Sequence, residues 1–186
     1  MIVWLAVIIG AVALDQLTKW ITVIRLDVGE SFPFIEGIFH FTYIQNRGAA
    51  FGMLSNHRWV FMVTSTVAIV GLLIYLWKFR PESKLACASL AMIIGGGIGN
   101  MIDRLFYKGT LPDTIGENVV IDFLDFCAVP EIWPWVFNIA DSFVCVGAGI
   151  LMVWCVVSIF KEAKLEKQKK LEANAAQQND GEENDG

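Results

Sequence analysis

Four apolar runs divide the chain: Ile2–Leu14, extending to Ile24 through DQLTKW, then Trp59–Trp77, Leu85–Ile102 and Phe137–Phe160. Each approaches the roughly 20 residues that a helix needs to cross a hydrocarbon core of about 30 Å. The pattern predicts a membrane all-α fold, a four-transmembrane-helix bundle with spans at about 2–24, 59–78, 85–104 and 137–160. Between the first two runs the period changes. In IFHFTYIQ the aromatic residues Phe39, Phe41 and Tyr43 alternate with Ile38, His40, Thr42 and Ile44, and SFPFI offers an antiparallel partner. A small β-sheet is therefore expected over about 28–46, on the outer side between spans 1 and 2. Its aromatic face suits the headgroup layer, where it could serve as a platform for an external substrate.

Composition agrees with the pattern. Of 186 residues, 55% are hydrophobic and only 18% charged, below the share of about 25% usual in soluble domains. The first apolar run lacks a basic start, and Asp15 and Lys19 stand where a cleavage site would lie, so it reads as an uncleaved span. Residues 161–186 are charged, then rich in Asn, Gln and Glu, and are expected to leave the membrane domain as a short helix that ends in disorder. The net charge of −5 owes much to this acidic end. There is no basic stripe suited to nucleic acid. Cys87, Cys127, Cys145 and Cys155 show no C-x-x-C spacing, and no disulfide framework follows from them.

Basic residues orient the bundle. Lys78, Arg80 and Lys84 lie between spans 2 and 3, and Lys161, Lys164, Lys167, Lys169 and Lys170 follow span 4. Both stretches belong on the cytoplasmic side. Both termini then lie inside as well.

Several polar residues interrupt the apolar runs, and an ionisable group within a span is a candidate for function. At 1.5 Å per residue Asp15 lies roughly 21 Å from the amino terminus, near the outer end of its helix. Lys19, four residues on, shares its face. Asn100 lies roughly 24 Å from Lys84, with Asp103 and Arg104 just beyond, and Asp141 lies about 30 Å from Lys161. Asn138 stands one turn before Asp141. These groups converge on one depth, with Asn46 and Asp122 on connections that open onto it.

Such a set supports carboxylate chemistry. Two carboxyl groups that share a site do not both ionise easily, so one keeps a proton while the other acts as a base. Asp122 and Asp141 arrive from different elements and suit a hydrolase of this kind. A small proton- or ion-coupled transporter would use the same carboxylates, and a purely structural membrane protein is a third reading. A Ser142–Lys19 nucleophile pair has no support from spacing. Asp122 and Asp125 offer too few ligands for a hard cation, and no His cluster suggests zinc.

The segments DQLTK (15–19), NRGAAFG (46–52), GNMIDR (99–104), VVIDF (119–123) and FNIADS (137–142) occur one per predicted element. In this order they resemble the lipoprotein signal peptidases (signal peptidase II), aspartic endopeptidases of bacterial inner membranes. The resemblance covers about residues 1–160 and implies a four-span enzyme with both termini cytoplasmic and its active site near the outer face. It implies cleavage of the signal peptide from a prolipoprotein just before its diacylglyceryl-modified cysteine, with membrane lipids around it and with no metal or organic cofactor. By the matching motifs the catalytic pair would be Asp122 and Asp141. The supporting or substrate-binding shell would be Asp15, Asn46, Gly52, Asn100, Asp103, Arg104, Asn138 and Ala140, with Lys19 and Arg47 beside them. One departure stands out. The link from Arg104 to Asp122 is longer than the family's usual one, with an insertion within 105–118.

Overall fold

The computed structural model describes residues 1–47, 58–112 and 114–183. Its elements in chain order are α1 (Ile2–Arg25), β1 (Ser31–Ile35), β2 (Phe39–Asn46), α2 (Arg58–Lys78), α3 (Lys84–Phe106), β3 (Val120–Asp125), β4 (Val136–Phe137) and α4 (Ile139–Glu183).

Helix α3 is the hub and packs against α1, α2 and α4. Its sequence explains why. A Cβ built on Gly95 would fall 2.7 Å from the Cβ of Ala11, and one on Gly99 only 2.6 Å from Asp15 Oδ2. Small residues let helix axes approach this closely, which matters where lipid supplies no hydrophobic drive for helices to pair. Ser83 caps α3, its hydroxyl accepting from the Ala86 N–H at 3.3 Å. Along α1 the buried positions Ile8, Ala11, Asp15, Lys19 and Thr22 recur at helical spacing, so one face meets the bundle. The first half of that face is apolar. Ile8 joins Leu76, Cys87, Leu90, Ala91 and Ile94 in the inter-helix core. The second half is charged.

Among the described residues three helical stretches are long and apolar enough to cross a membrane: Ile2–Arg25, Lys84–Phe106 and Ile139–Lys169. Met62–Lys78, within α2, is a shorter apolar helix. Large apolar side chains point outward from these helices, among them Ile2, Val67, Trp77 and Met152, as expected where lipid replaces water.

The sheet is antiparallel, in the order β1-β2-β3-β4. The SFPFI–FHFTYIQ pairing expected from alternation is present, with Phe32 opposite Phe41. Phe34, Phe39 and Phe41 form an edge-to-face cluster on it. The sheet also differs from the expectation, because VIDFLD is not a loose connection but its third strand. Val120 and Ile121 pair with Asn46 and Gln45, Asp122 pairs with Ile44, and a register shift follows between Phe41 and Ile44. Tyr43, Ile121 and Phe123 form a second core, against which Val23 of α1 and Leu26, just past its end, pack. This core fixes the sheet to the end of the bundle.

A second difference lies at the carboxyl end, where α4 continues through Glu183 instead of stopping near Phe160. Its added segment, KEAKLEKQKKLEANAAQQ, is built from strong helix formers, whose propensity outweighs the lack of anything to bury.

Candidate active site

The charged half of the α1 face meets α3 in a buried ion cluster. Lys19 Nζ lies 2.8 Å from Asp15 Oδ2 and 2.9 Å from Asp103 Oδ2, and it donates to Asn100 Oδ1 at 3.0 Å. Lys19 and Asp15 are 1% and 0% exposed. A buried lysine of this kind requires pairing and hydrogen bonds on every proton, and here its three donors find three acceptors.

The anionic side of the cluster is tied to neighbouring elements. Asp15 Oδ1 accepts the Ala140 N–H at 2.9 Å, satisfying a free amide in the first turn of α4. Asp103 Oδ2 accepts the Ile121 N–H at 3.2 Å, which anchors β3. Gln16 Nε2 donates to Asp103 Oδ1 at 2.9 Å and to the Gly99 carbonyl at 3.1 Å. The cluster therefore joins α1, α3, α4 and β3 at one point.

Helix α4 begins with a reciprocal cap. Asn138 Oδ1 accepts the Asp141 N–H at 2.9 Å, and Asp141 Oδ2 accepts the Asn138 N–H at 3.3 Å. This is the capping-box logic with Asn and Asp in the two roles. Asn138 Nδ2 also donates to Asp122 Oδ1 at 2.7 Å and to Asn100 Oδ1 at 3.0 Å. Asn100 Nδ2 donates to Asp141 Oδ1 at 2.7 Å, and Asn46 Nδ2 to Asp122 Oδ2 at 2.8 Å. Asn138 thus bonds both aspartates.

The electrostatics differ from those of an ordinary carboxyl. Burial, and then the nearby negative charge of Asp141, push Asp122 up to about 7, against the hydrogen bonds from Asn46 and Asn138 that favour its ionised form. Such a carboxyl holds a proton near neutrality.

The structure brings together Asp15, Lys19, Asn46, Asn100, Asp103, Asp122, Asn138, Ala140 and Asp141. Arg104 is buried, with Nη1 donating to the Asn100 carbonyl at 3.1 Å, one turn back along α3. Arg47 is exposed just past β2. Gly52 lies outside the described residues, as does the whole GAAFG part of its motif. Ser142 and Lys19 do not form a nucleophile pair. The Ser142 hydroxyl bonds the Asn138 carbonyl within its own helix, while Lys19 is committed to the ion cluster. Asp125 accepts the Thr42 hydroxyl at 2.6 Å. Sequence reasoning missed Gln16, whose only signal was its place beside Asp15 in DQLTK, and Asn118, whose Nδ2 donates to the Arg104 carbonyl at 2.7 Å.

Comparison with known proteins follows the same lines. A sequence model described as signal peptidase (SPase) II matches residues 7–157. The lipoprotein signal peptidase of Halothermothrix orenii is 43% identical over 148 residues, spanning 80% of this chain and 91% of that protein. The lipoprotein signal peptidase of Desulfitobacterium hafniense strain DCB-2 is 39% identical over 167 residues, 89% of this chain and 100% of that one. Two solved structures described as bacterial membrane enzymes share the fold. One has a TM-score of 0.74 at 24% identity, covering 86% of this chain and 90% of its own, and the other 0.70 at 25% identity, covering 83% and 93%.

Proposed function

The chain belongs to the signal peptidase II family, and on that premise we propose that it is an aspartic endopeptidase of a bacterial inner membrane. It removes the signal peptide from prolipoproteins by hydrolysing the bond before the diacylglyceryl-modified cysteine. The carrying observation is that one residue, Asn138, bonds both Asp122 and Asp141, while the charge of one carboxyl raises the proton affinity of the other.

The reaction follows from that asymmetry. Asp141, with Asn100 and Asn138 donating to it, takes a proton from water as the oxygen attacks the scissile carbonyl. Asp122 is the member that carries a proton and gives it to the departing amine. The products are a new carboxyl terminus on the signal peptide and a free amine on the modified cysteine. Asn46 and Asn138 hold Asp122 in place, and the Lys19 cluster holds Asn100 and the start of α4.

We place four spans in the membrane, α2 being the short one, with residues 1–160 as the peptidase domain and 161–186 as a cytoplasmic extension. Both termini face the cytoplasm and the sheet lies at the outer surface, in keeping with the Lys and Arg bias of the connections. The precursor enters from the bilayer with its scissile region beneath the sheet. A groove of about 580 Å³ between the end of α1 and Phe32, Phe41 and Phe123 offers apolar surface for its acyl chains. Incubation of the purified protein with a diacylglyceryl-modified precursor tests the proposal. A mobility shift on a gel, absent with the unlipidated precursor, is the expected result, and no shift with either overturns it.

A further inference from the structure

Gln45 is a buried amide that the proposed chemistry does not use. Its Oε1 accepts the Thr110 N–H and the Thr114 hydroxyl, each at 3.0 Å. Its Nε2 donates to the Tyr43 hydroxyl at 3.1 Å and to Thr110 Oγ1 at 3.0 Å. A side-chain amide offers two donors and two acceptor sites, so all of its capacity is spent. Three of the four bonds go to the connection 105–118, which joins α3 to β3.

That connection has a built structure. Thr114 is 2% exposed, and its Oγ1 also takes the Leu111 N–H at 3.1 Å. The Glu117 N–H reaches the Thr114 carbonyl at 3.0 Å, and the Gly109 N–H reaches the Glu117 carbonyl at 2.9 Å. Gly109 is required where it stands, since a Cβ there would lie 2.5 Å from the Thr114 side chain. At its far end Asn118 Nδ2 bonds the Arg104 and Leu105 carbonyls at 2.7 and 3.0 Å, closing the free end of α3. A link between a helix and a strand needs only about 2–6 residues. Much of the extra length is exposed, but Gly109, Thr114 and Asn118 are buried within it, and Thr110 and Thr114 turn their polar groups to Gln45.

The position of Gln45 gives this a consequence. It pairs with Ile121, the residue before Asp122, and it precedes Asn46, which donates to Asp122. We propose that the 105–118 connection is a brace. Through Thr110 and Thr114 it locks Gln45, keeps β2 in register with β3, and so sets the Asn46 amide against Asp122. Gln45 and Thr114 are then positioning residues for the hydrolysis, acting through Asn46 without touching substrate. This rests on the aspartic-peptidase reading above.

The test uses the full-length protein and a diacylglyceryl-modified precursor, with kcat and KM measured across pH for wild type, Thr114→Val, Thr114→Ser and Gln45→Leu. Removing the Thr114 hydroxyl frees one side of the brace. Expected is a fall of about three- to tenfold in kcat for Thr114→Val, with KM changed by less than about twofold. The Asn46 bond favours ionised Asp122, so loosening it moves the alkaline limb of the pH profile upward. Thr114→Ser, which keeps the hydroxyl, retains the wild-type profile, and Gln45→Leu moves it at least as far as Thr114→Val does. The brace is overturned if Thr114→Val and Gln45→Leu lower only thermal stability or yield, leaving kcat and the profile of the folded fraction unmoved. Wild-type protein that fails to cleave the precursor overturns the peptidase reading itself, and the brace with it.

Discussion

Lys19 Nζ donates to Asn100 Oδ1 at 3.0 Å and, together with the Asn138 amide on the same oxygen, sets which way the Asn100 amide faces. A lysine ammonium has only donors, so the oxygen of Asn100 must turn towards it and the nitrogen towards Asp141, which it reaches at 2.7 Å. Removal of Lys19 is expected to act at two levels. Lys19→Met leaves Asp15 and Asp103 buried without their cation, a loss of about 3–5 kcal/mol in stability. In whatever fraction folds, the Asn100 oxygen keeps only the Asn138 donor, its hold on Asp141 loosens, and precursor cleavage falls as well. Denaturant or thermal unfolding in detergent, alongside cleavage of the same samples, reads both effects.

Replacing either aspartate by asparagine is expected to abolish cleavage while leaving the protein folded and inserted. The choice of asparagine matters for Asp141, because an Asn at 141 retains an oxygen for the Asn138 N–H, whereas Ala removes that half of the cap, at a cost of about 0.5–2 kcal/mol. Gel assay of a lipidated precursor together with circular dichroism separates loss of chemistry from loss of fold. Normal turnover by Asp122→Asn or Asp141→Asn would remove that residue from the catalytic role.

Asp122 gives a pH dependence with a definite sign. Its ordinary value is 3.8 and the fold raises it to about 7, so the native protein binds a proton across that interval which the unfolded chain has released. Stability contributed by this group is present at low pH and is lost as pH rises from about 4 to about 7. Asp122→Asn is therefore expected to be more stable than wild type at pH 8, with the difference closing towards pH 4, measured as unfolding temperature against pH. Cleavage is expected to decline above about pH 7, as Asp122 loses the proton that the leaving amine needs.

Two glycines on different helix faces should behave in opposite ways. Gly99→Ala places a Cβ 2.6 Å from Asp15 Oδ2 and 3.3 Å from the Ala140 Cβ. Asp15 is pinned by Lys19 and Ala140 and has nowhere to move, so a loss of about 1–3 kcal/mol is expected. Gly10→Ala meets nothing within 4 Å and should gain up to about 1 kcal/mol in helix propensity. Unfolding temperatures of the two variants check both.

Much of this arrangement was legible in the sequence because depth in a membrane helix is linear in residue number. Asp15, Asn100 and Asp141 could be brought to one level by counting from the helix ends, and the structure joins them through Lys19 and Asn138. The β1–β2 hairpin was legible from its alternation and proximity. Non-local pairing was not. Nothing in VIDFLD states that it will lie beside FHFTYIQN, about eighty residues earlier, and the register shift between Phe41 and Ile44 breaks the simple face count. Gln16 and Gln45 were missed for a related reason, since an amide gains its meaning from partners on other elements. The extent of α4 was less legible, because residues 161–186 have little to bury and only their helix propensity carries the element onward.

The cluster of one lysine with two aspartates also bears on how the protein is made. The first helix emerges carrying Asp15 and Lys19 as matched opposites, a pair that hydrocarbon can tolerate. The third brings Asp103, which meets the Lys19 of α1. Until α1 and α3 meet, Asp103 lacks the Lys19 ammonium, so this pair favours sinking the two helices into the bundle as one unit.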